Sequence, residues 1–211
     1  MNRRHFLLCA APLTALASPA AVWAQKSLAA AGDIDVDAIL NDPQAPVGGN
    51  PAGDVTIVAF MDYSCPFCKK SSPDLERFVQ ADGKVRLVYK DWPILAQSSI
   101  TGERLALAAK YQGKYGAAHV ALMGIRGGNI SEASMTRAVK AAGIDMNRLE
   151  DDLKVHDADI SALLKRNLAQ ANALGLEGTP VFLIGPFKVA KALDYDELKE
   201  IVADFRARIG K

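Results

Sequence analysis

The residues of this chain best suited to chemistry are two cysteines separated by two residues, Cys65 and Cys68. An apolar, β-branched run at 55–61 precedes them and predicts a strand buried on both faces. A helical pattern follows them and ends at Gly83. The pair therefore stands at the start of a predicted helix, whose unpaired amides and positive dipole end favour a thiolate on Cys65. Lys69 adds a nearby cation.

A thiolate in this position is suited to disulfide exchange. Thiols of such pairs have their pKa lowered from about 8.5 to roughly 3.5–7.5. At about 1.4 kcal/mol per pH unit, the reduced form gains about 3 to 5 kcal/mol, and the disulfide becomes a stronger oxidant. We expect Cys65 to be the exposed nucleophile and Cys68 the resolving thiol. Pro66 would rigidify the first turn without losing a hydrogen bond.

Two plainer uses of the same cysteines fit less well. A structural disulfide that closes so short a loop would remove little entropy from the unfolded chain. Metal binding needs further ligands, and only His119 and His156 remain beyond the N-terminal segment. Lys69 stands where a haem-attachment motif needs histidine. The sequence thus predicts a redox-active pair, no metal site and no cofactor.

The first 24 residues predict a cleavable export signal. Arg3 and Arg4 precede an apolar stretch at 6–17, too short to span a bilayer, and residues 22–24 form a small-residue cleavage pattern. The arginine pair resembles a twin-arginine signal, and the general secretory route fits as well. Cleavage would also remove Cys9, which leaves the pair as the only cysteines in an oxidising compartment.

Composition excludes several other functions. Among 211 residues, 25 are Lys or Arg and 24 are Asp or Glu, so no basic field favours nucleic acid. Hydrophobic residues make up 50% and charged residues 23%, which is ordinary for a globular protein and excludes disordered and fibrous classes. We expect one compact domain after the export signal.

The remaining chain alternates between strand and helix patterns. Residues 25–53 predict an extended surface lead-in with at most a short helix at 36–40, and Pro73 is expected to kink or restart the cysteine helix. The later predicted elements are a strand from Val85 to about Trp92, helices within 98–174, a strand at 181–184 and a last helix opened by an Asp194–Glu197 capping box. This order predicts an α/β unit split by inserted helices.

The strand and cysteine run 55–69, together with Gly178-Thr179-Pro180-Val181-Phe182, resembles the DsbA-like periplasmic thiol:disulfide oxidoreductases. The similarity covers nearly all of the chain from about Pro46. It implies a thioredoxin fold with a helical insertion: a domain at 54–211 whose thioredoxin parts are 54–97 and 175–211, around an insertion at 98–174.

The resemblance also implies further site residues. The family's proline that matches Pro180 is cis and lies beside the cysteine pair. The backbone of Thr179 would then pair with an extended client segment, in the manner of strand addition. Pro66 and Phe67 would shape the rest of the site.

The partners implied are unfolded or partly oxidised secreted proteins and a quinone-linked membrane oxidase that reoxidises the pair. The same two sulfurs would serve a disulfide isomerase or reductase of the copper-tolerance or DsbC/DsbG kind, kept reduced by a membrane thiol transporter. Some such relatives trimerise through a long N-terminal helix. The segment 26–41 is too short and interrupted for that, which favours a monomer. A metal-binding thiol chaperone, without enzymatic activity, is the third possibility, and all three stay open.

One position departs from the family pattern. An acidic residue commonly stands six positions before the first cysteine and assists proton transfer, whereas this chain has Ala59 there. Asp62, Lys90 and Asp91 are weak candidates for a replacement. His119 lies on an apolar helix pattern and is expected to be a hydrogen-bonded packing residue.

Overall fold

The structure, a computed structural model, describes residues 34–128 and 130–210; the predicted export signal, with Cys9, lies outside this range. The strands are β1 (Val47–Gly49), β2 (Val55–Met61), β3 (Val85–Asp91), β4 (Val181–Ile184) and β5 (Phe187–Val189). The helices are α1 (Val36–Leu40), α2 (Pro66–Asp82), α3 (Gln97–Lys110), α4 (Tyr115–Met123), α5 (Glu132–Ala141), α6 (Met146–Val155), α7 (Asp157–Ala173) and α8 (Tyr195–Arg208).

The strands form one mixed sheet in the order β1-β3-β2-β4-β5. β2 and β3 are parallel and in register from Val55 opposite Val85 to Met61 opposite Asp91, with α2 as the crossover between them. The other neighbours pair antiparallel. Central β2 is almost wholly buried, which agrees with its unbroken apolar sequence. Its end at Met61 delivers the chain directly into the cysteine segment.

Helix α2 begins and ends where the sequence predicts. Cys65 is its N-cap, and Gly83, with a φ of +68°, is the left-handed residue that ends it. The expected restart of the helix at Pro73 is wrong, because α2 runs unbroken from Pro66 to Asp82. The free energy gained by burying the apolar face of α2 against the sheet exceeds the cost of the single backbone hydrogen bond that a proline removes.

The segment before β2 is part of the folded domain, which corrects the expectation of a surface lead-in. The short helix is present, but β1 is an edge strand that pairs with β3. Ile39 is buried in α1, and the Asp42 carboxylate receives two hydrogen bonds from Arg166 of α7 at 3.0 and 3.2 Å. Strand β1 was missed because three residues containing two glycines do not form a recognisable strand pattern.

Five helices, α3 to α7, lie between β3 and β4, as the split α/β pattern predicts. Ser131 caps α5, and the capping box of Asp194 and Glu197 opens α8 as predicted. The short strand β5, which the sequence did not predict, pairs with β4 at the edge of the sheet. Within residues 34–128 and 130–210, no helix has the length and apolar character needed to cross a membrane.

Candidate active site

The first cysteine is held at the N-terminus of α2 by the local backbone. Cys65 has extended φ and ψ values, −79° and 117°, and its Sγ accepts a hydrogen bond from the Cys68 amide at 3.3 Å. This is the contact that a capping oxygen ordinarily makes. Pro66 occupies the first turn, where its missing amide removes no helical hydrogen bond. A thiolate on Cys65 therefore meets a backbone donor and the positive helix end.

The Thr179–Pro180 segment reaches this sulfur through the sheet. β4 pairs antiparallel with β2, so the beginning of β4 at Val181 lies opposite Phe60 near the end of β2. The loop before β4 is thereby placed beside the loop after β2. The Cys65 Sγ lies 3.2 Å from the Thr179 carbonyl oxygen, across 114 residues of sequence, and donates a hydrogen bond to it when the thiol is protonated. The Thr179–Pro180 bond is cis, as the resemblance implies.

The two thiols have opposite acidity. A hydrogen bond from the Cys68 thiol, together with hydrogen bonds to Thr179 and the backbone, lowers the pKa of Cys65 to about 6. Burial, and next the neighbouring Cys65 sulfur, raise the pKa of Cys68. At neutral pH, Cys65 is mainly a thiolate, whereas Cys68 keeps its proton. This asymmetry suits one sulfur for attack and the other for a later step.

The expectation of an exposed Cys65 is wrong. The residue is only 2% exposed, although Pro66 and Phe67 beside it are exposed. The contacts of its sulfur with the Cys68 amide and the Thr179 carbonyl turn the side chain inward. The thiol thus lies just beneath an exposed turn, on the side of the Thr179 segment.

A groove opens on that side. It has a volume of about 650 Å³, and the exposed ring of Phe67 stands at its edge with 64% of the residue accessible. The other lining residues are Lys70, Glu177, Gly178, Thr179, Pro180, Ala190, Lys191 and Ala192. The groove brings the two sequence-predicted segments, Pro66–Phe67 and Thr179–Pro180, to one surface.

Lys69 contributes differently from the sequence expectation. Its ammonium donates to the Gly127 carbonyl at 2.9 Å, which ties the start of α2 to the loop after α4. Burial lowers the pKa of Lys69. The lowered pKa of Cys65 comes first from the Cys68 thiol, and then from Thr179 and the backbone amides of Cys68 and Phe67. Lys69 is therefore mainly an anchor for the loop.

The structure shows the contacts of Asp62 and Lys90, two of the three candidates for proton transfer. The Asp62 carboxylate accepts four hydrogen bonds, from Ser99 Oγ and the amides of Ser64, Ile94 and Leu95, at 2.7 to 3.0 Å. Asp62 thus fixes the loops around the cysteines. Lys90 is fully buried, and burial lowers its pKa to about 8. Its nearest charged neighbours are Asp42 and Arg166, on the side of α7.

The third candidate, Asp91, belongs to a buried polar cluster that sequence reasoning did not assemble. Asp91 accepts a hydrogen bond from Tyr115 at 2.8 Å, and Glu103 of α3 lies buried next to it. His119 is 1% exposed and bonds to Tyr63 and Ser72, so its prediction as a hydrogen-bonded packing residue is confirmed. A glutamate inside the apolar part of a helix pattern was the available signal for Glu103.

Metal ligands do not gather in the part of the chain that the structure describes: no group of three or more His, Cys, Asp or Glu side chains there is arranged to hold an ion. The close partners of the two sulfurs are each other, Thr179 and nearby backbone groups, among them the Cys68 amide. This donor set suits exchange of sulfur–sulfur bonds.

Comparison with known proteins agrees with this chemistry. A family model described as thioredoxin matches residues 41–204. A thioredoxin-like oxidoreductase from Silicibacter pomeroyi DSS-3 is 40% identical, with 82% of this chain and 98% of that chain covered and a TM-score of 0.76. The thiol-disulfide exchange protein alpha-DsbA2 from Wolbachia pipientis is 30% identical, with 80% and 91% covered and a TM-score of 0.75.

A periplasmic thioredoxin-like protein from Salmonella enterica serovar Typhimurium is also 30% identical, with 81% of this chain and 95% of that chain covered and a TM-score of 0.68. Among curated proteins, the Na(+)/H(+) antiporter NhaA 1 of Mycobacterium sp. (strain KMS) is 24% identical over 170 residues, which are 76% of this chain and 26% of that protein. The chain thus spans about a quarter of the length of the curated relatives it matches.

The family match, the mixed sheet and the helices between β3 and β4 confirm the predicted thioredoxin fold with inserted helices. The chain belongs to the thioredoxin family, and within it to the DsbA-like thiol:disulfide oxidoreductases.

Proposed function

We propose that this protein is an exported, periplasmic oxidase that forms disulfides in secreted proteins, with Cys65 as the nucleophile and Cys68 as the resolving thiol. The contact of Cys65 Sγ with the Thr179 carbonyl, at the N-terminus of α2, carries the proposal. The sequence of the first 24 residues and the similarity to a periplasmic protein support the location. We propose that it acts as a monomer.

The reaction starts from a disulfide between Cys65 and Cys68. A client thiolate attacks Cys65 Sγ, the bond between the two enzyme sulfurs breaks, and Cys68 leaves with the electron pair and takes up a proton. A second client thiolate then attacks the client sulfur of the mixed disulfide. A client disulfide forms, Cys65 leaves as a thiolate, and the client has passed two electrons to the enzyme.

The groove beside Phe67 supplies the client surface in this proposal. An extended client segment would pair with the Thr179 backbone, and the Phe67 ring would cover an apolar client side chain. Such a contact needs little sequence specificity, because main-chain groups provide much of it. Unfolded or partly oxidised secreted proteins are therefore the proposed substrates, and a quinone-linked membrane oxidase is the proposed reoxidant.

The acidity of Cys65 favours the oxidase over the isomerase or reductase. With its pKa lowered to about 6, Cys65 is a good leaving group, and the reduced enzyme is the stabilised state. An enzyme of this kind gives up its disulfide readily. No comparable observation favours the isomerase, the reductase or the metal-binding chaperone.

The test mixes the oxidised protein with a reduced, unfolded client, a secreted protein whose native form contains one disulfide. We expect the client to gain one disulfide for each enzyme disulfide lost. When the same client is added in its disulfide form, Cys68→Ala should accumulate a mixed disulfide through Cys65 with release of one client thiolate, and Cys65→Ala should form none. The same single variants provide the matched pair, since each removes one sulfur. Lack of client oxidation by the wild-type protein would contradict the proposal.

The cellular redox state separates the alternatives. A mainly oxidised cysteine pair in the compartment is the expected result, whereas a mainly reduced pair would favour an isomerase or reductase served by a thiol transporter. Titration with Cu⁺ that shows stoichiometric binding, combined with no disulfide exchange, would favour the metal-binding chaperone.

A further inference from the structure

A chain of buried polar side chains begins one helical turn after the resolving thiol. Ser72 follows Cys68 by four residues on α2, so it lies about 6 Å further along the same helix face. The Ser72 Oγ lies 3.3 Å from His119 Nε2, and His119 Nδ1 lies 3.0 Å from the Tyr63 hydroxyl. That hydroxyl donates to Asp91 Oδ1 at 3.5 Å.

In one arrangement of protons, every hydrogen bond of this chain of side chains is donated in the direction that leads away from the cysteines. With the imidazole proton on Nδ1, the Ser72 hydroxyl donates to Nε2 and Nδ1 donates to the Tyr63 oxygen. The Tyr63 hydroxyl then donates to the Asp91 carboxylate. A proton that arrives at Ser72 can therefore reach Asp91 by one proton shift across each hydrogen bond.

Asp91 is paired with a second carboxyl group at the end of this chain. Glu103 is fully buried next to it, and Asp91 Oδ2 and both Glu103 oxygens have no donor among the described residues. Two carboxyl groups in contact satisfy each other only when they share a proton. Burial, and next the charge of Asp91, raise the pKa of Glu103, so Glu103 holds that proton. Hydrogen bonds from Tyr63 and Tyr115 stabilise the charge on Asp91.

The surroundings keep the central histidine neutral. Burial lowers the pKa of His119 to about 3, so the ring passes a proton on and does not hold it. Five other titratable or charged groups face the chain and the carboxyl pair. They are Glu76 of α2, Asp62 of the loop after β2, Tyr89 of β3, Lys110 of α3 and Tyr115 of α4. The Lys110 ammonium also donates to the Gln44 carbonyl at 2.7 Å.

We propose that Ser72, His119, Tyr63 and the Asp91–Glu103 pair form a relay that removes and returns the proton of Cys68. The inference rests on the proposed function of the cysteines. The sheet places the relay near the position that lacks an acid, because Ala59 pairs in register with Tyr89 and Met61 pairs with Asp91. Asp91 therefore lies on the neighbouring strand, two residues closer to the cysteine end of the sheet.

The relay acts in both directions of the exchange. When Cys65 has formed a mixed disulfide with one half of an external disulfide, the S–H bond of Cys68 breaks and its proton crosses to Ser72 through a bridging water, while a proton reaches Asp91. The Cys68 thiolate attacks Cys65 Sγ and expels the external thiolate. The enzyme pair has lost two electrons to the external disulfide. In client oxidation, Asp91 returns the proton to Cys68 as the sulfur leaves.

The test follows the reduced protein reacting with oxidised glutathione in rapid-quench experiments, in which the mixed disulfide and the final enzyme disulfide are separated by mass. Tyr63→Phe breaks the middle of the relay and Ser72→Ala breaks its start. Tyr89→Phe is the matched control, because it removes another buried tyrosine hydroxyl, which donates to Glu76 at 2.7 Å and lies outside the path. A melting temperature equal to that of the wild type shows that a variant is folded.

We expect Tyr63→Phe and Ser72→Ala to slow the second step about tenfold at pH 7 and to make it rise more steeply with pH, since hydroxide then replaces the relay. Formation of the mixed disulfide should stay within about twofold of wild type, as should both steps in Tyr89→Phe. Equal second-step rates in Tyr63→Phe and Tyr89→Phe would overturn the relay. Failure of the wild type to form the mixed disulfide would instead refute the proposed role of Cys65.

Discussion

Removal of the Cys68 thiol should raise the pKa of Cys65, although Cys68 itself keeps its proton at neutral pH. The hydrogen bond from that thiol is the largest contribution to a Cys65 pKa of about 6, against an ordinary value of 9.0. The difference corresponds to about 4 kcal/mol. A hydrogen bond to a charged group contributes about 1.5 to 3 kcal/mol, so Cys68→Ala should raise the pKa of Cys65 by about 1 to 2 pH units.

The assay is the rate of alkylation of Cys65 by iodoacetamide against pH, supported by the ultraviolet absorbance of the thiolate. At pH 6 the thiolate fraction should fall from about one half to between about one tenth and one hundredth, and the rate should fall with it. Cys68→Ser keeps a hydroxyl donor and should give an intermediate value. A pKa that stays near 6 in Cys68→Ala would refute the reasoning and leave Thr179 and the backbone amides of Cys68 and Phe67 as the causes.

The same pKa determines how the stability of the reduced protein depends on pH. Cys65 has a lower pKa folded than unfolded, so its contribution is fully present above the unfolded value and is lost as pH falls through about 6. The free energy of unfolding of the reduced protein, relative to Cys65→Ala, should therefore increase between pH 6 and pH 9. The disulfide form has no such thiol and should show no increase.

Two further predictions concern the residues that support the site. Asp62→Ala leaves three amides and the Ser99 hydroxyl without their acceptor and should lower the free energy of unfolding by about 3 kcal/mol or more in urea titrations; Asp62→Asn, which keeps one oxygen, should cost less. Arg206→Met removes the partly buried bridge to two aspartates and should cost about 1 to 3 kcal/mol, whereas Arg208→Met, which breaks an exposed pair, should change stability by about 0.5 kcal/mol or less. Equal effects of the two arginine variants would contradict the role of burial.

The local elements of the fold could be predicted because their signals are short-range. The buried run at 55–61 and the N-cap cysteine with Pro66 each predict their structure within one segment, and so does the capping box at Asp194. The predictions that failed concern segments whose structure depends on contacts with residues distant in sequence. The strand β1 exists only because it pairs with β3, and Pro73 lies within α2 because the helix face is buried against the sheet.

The site was predicted in part. Cys65 and Cys68 were predicted from their spacing and context, Thr179 and Pro180 from the family resemblance, and the structure brings Cys65 and the Thr179 segment together. The burial of Cys65 was not found, since it depends on contacts with a segment 114 residues away. The partners of Asp91 were not found either. Tyr63, Glu103, Tyr115 and His119 come from separate segments and meet only when α3 and α4 close over the end of the sheet.

The sequence alone identifies the two sulfurs proposed to react, because the order of strand, cysteine pair and helix predicts a thiolate at a helix N-terminus. The tertiary structure decided how acidic and how accessible that thiolate is, and where its proton can go. These properties depend on burial and on hydrogen bonds between residues distant in sequence, such as Cys65 with Thr179 and Tyr63 with Asp91. Pairing of β2 with β3 and β4 creates those contacts.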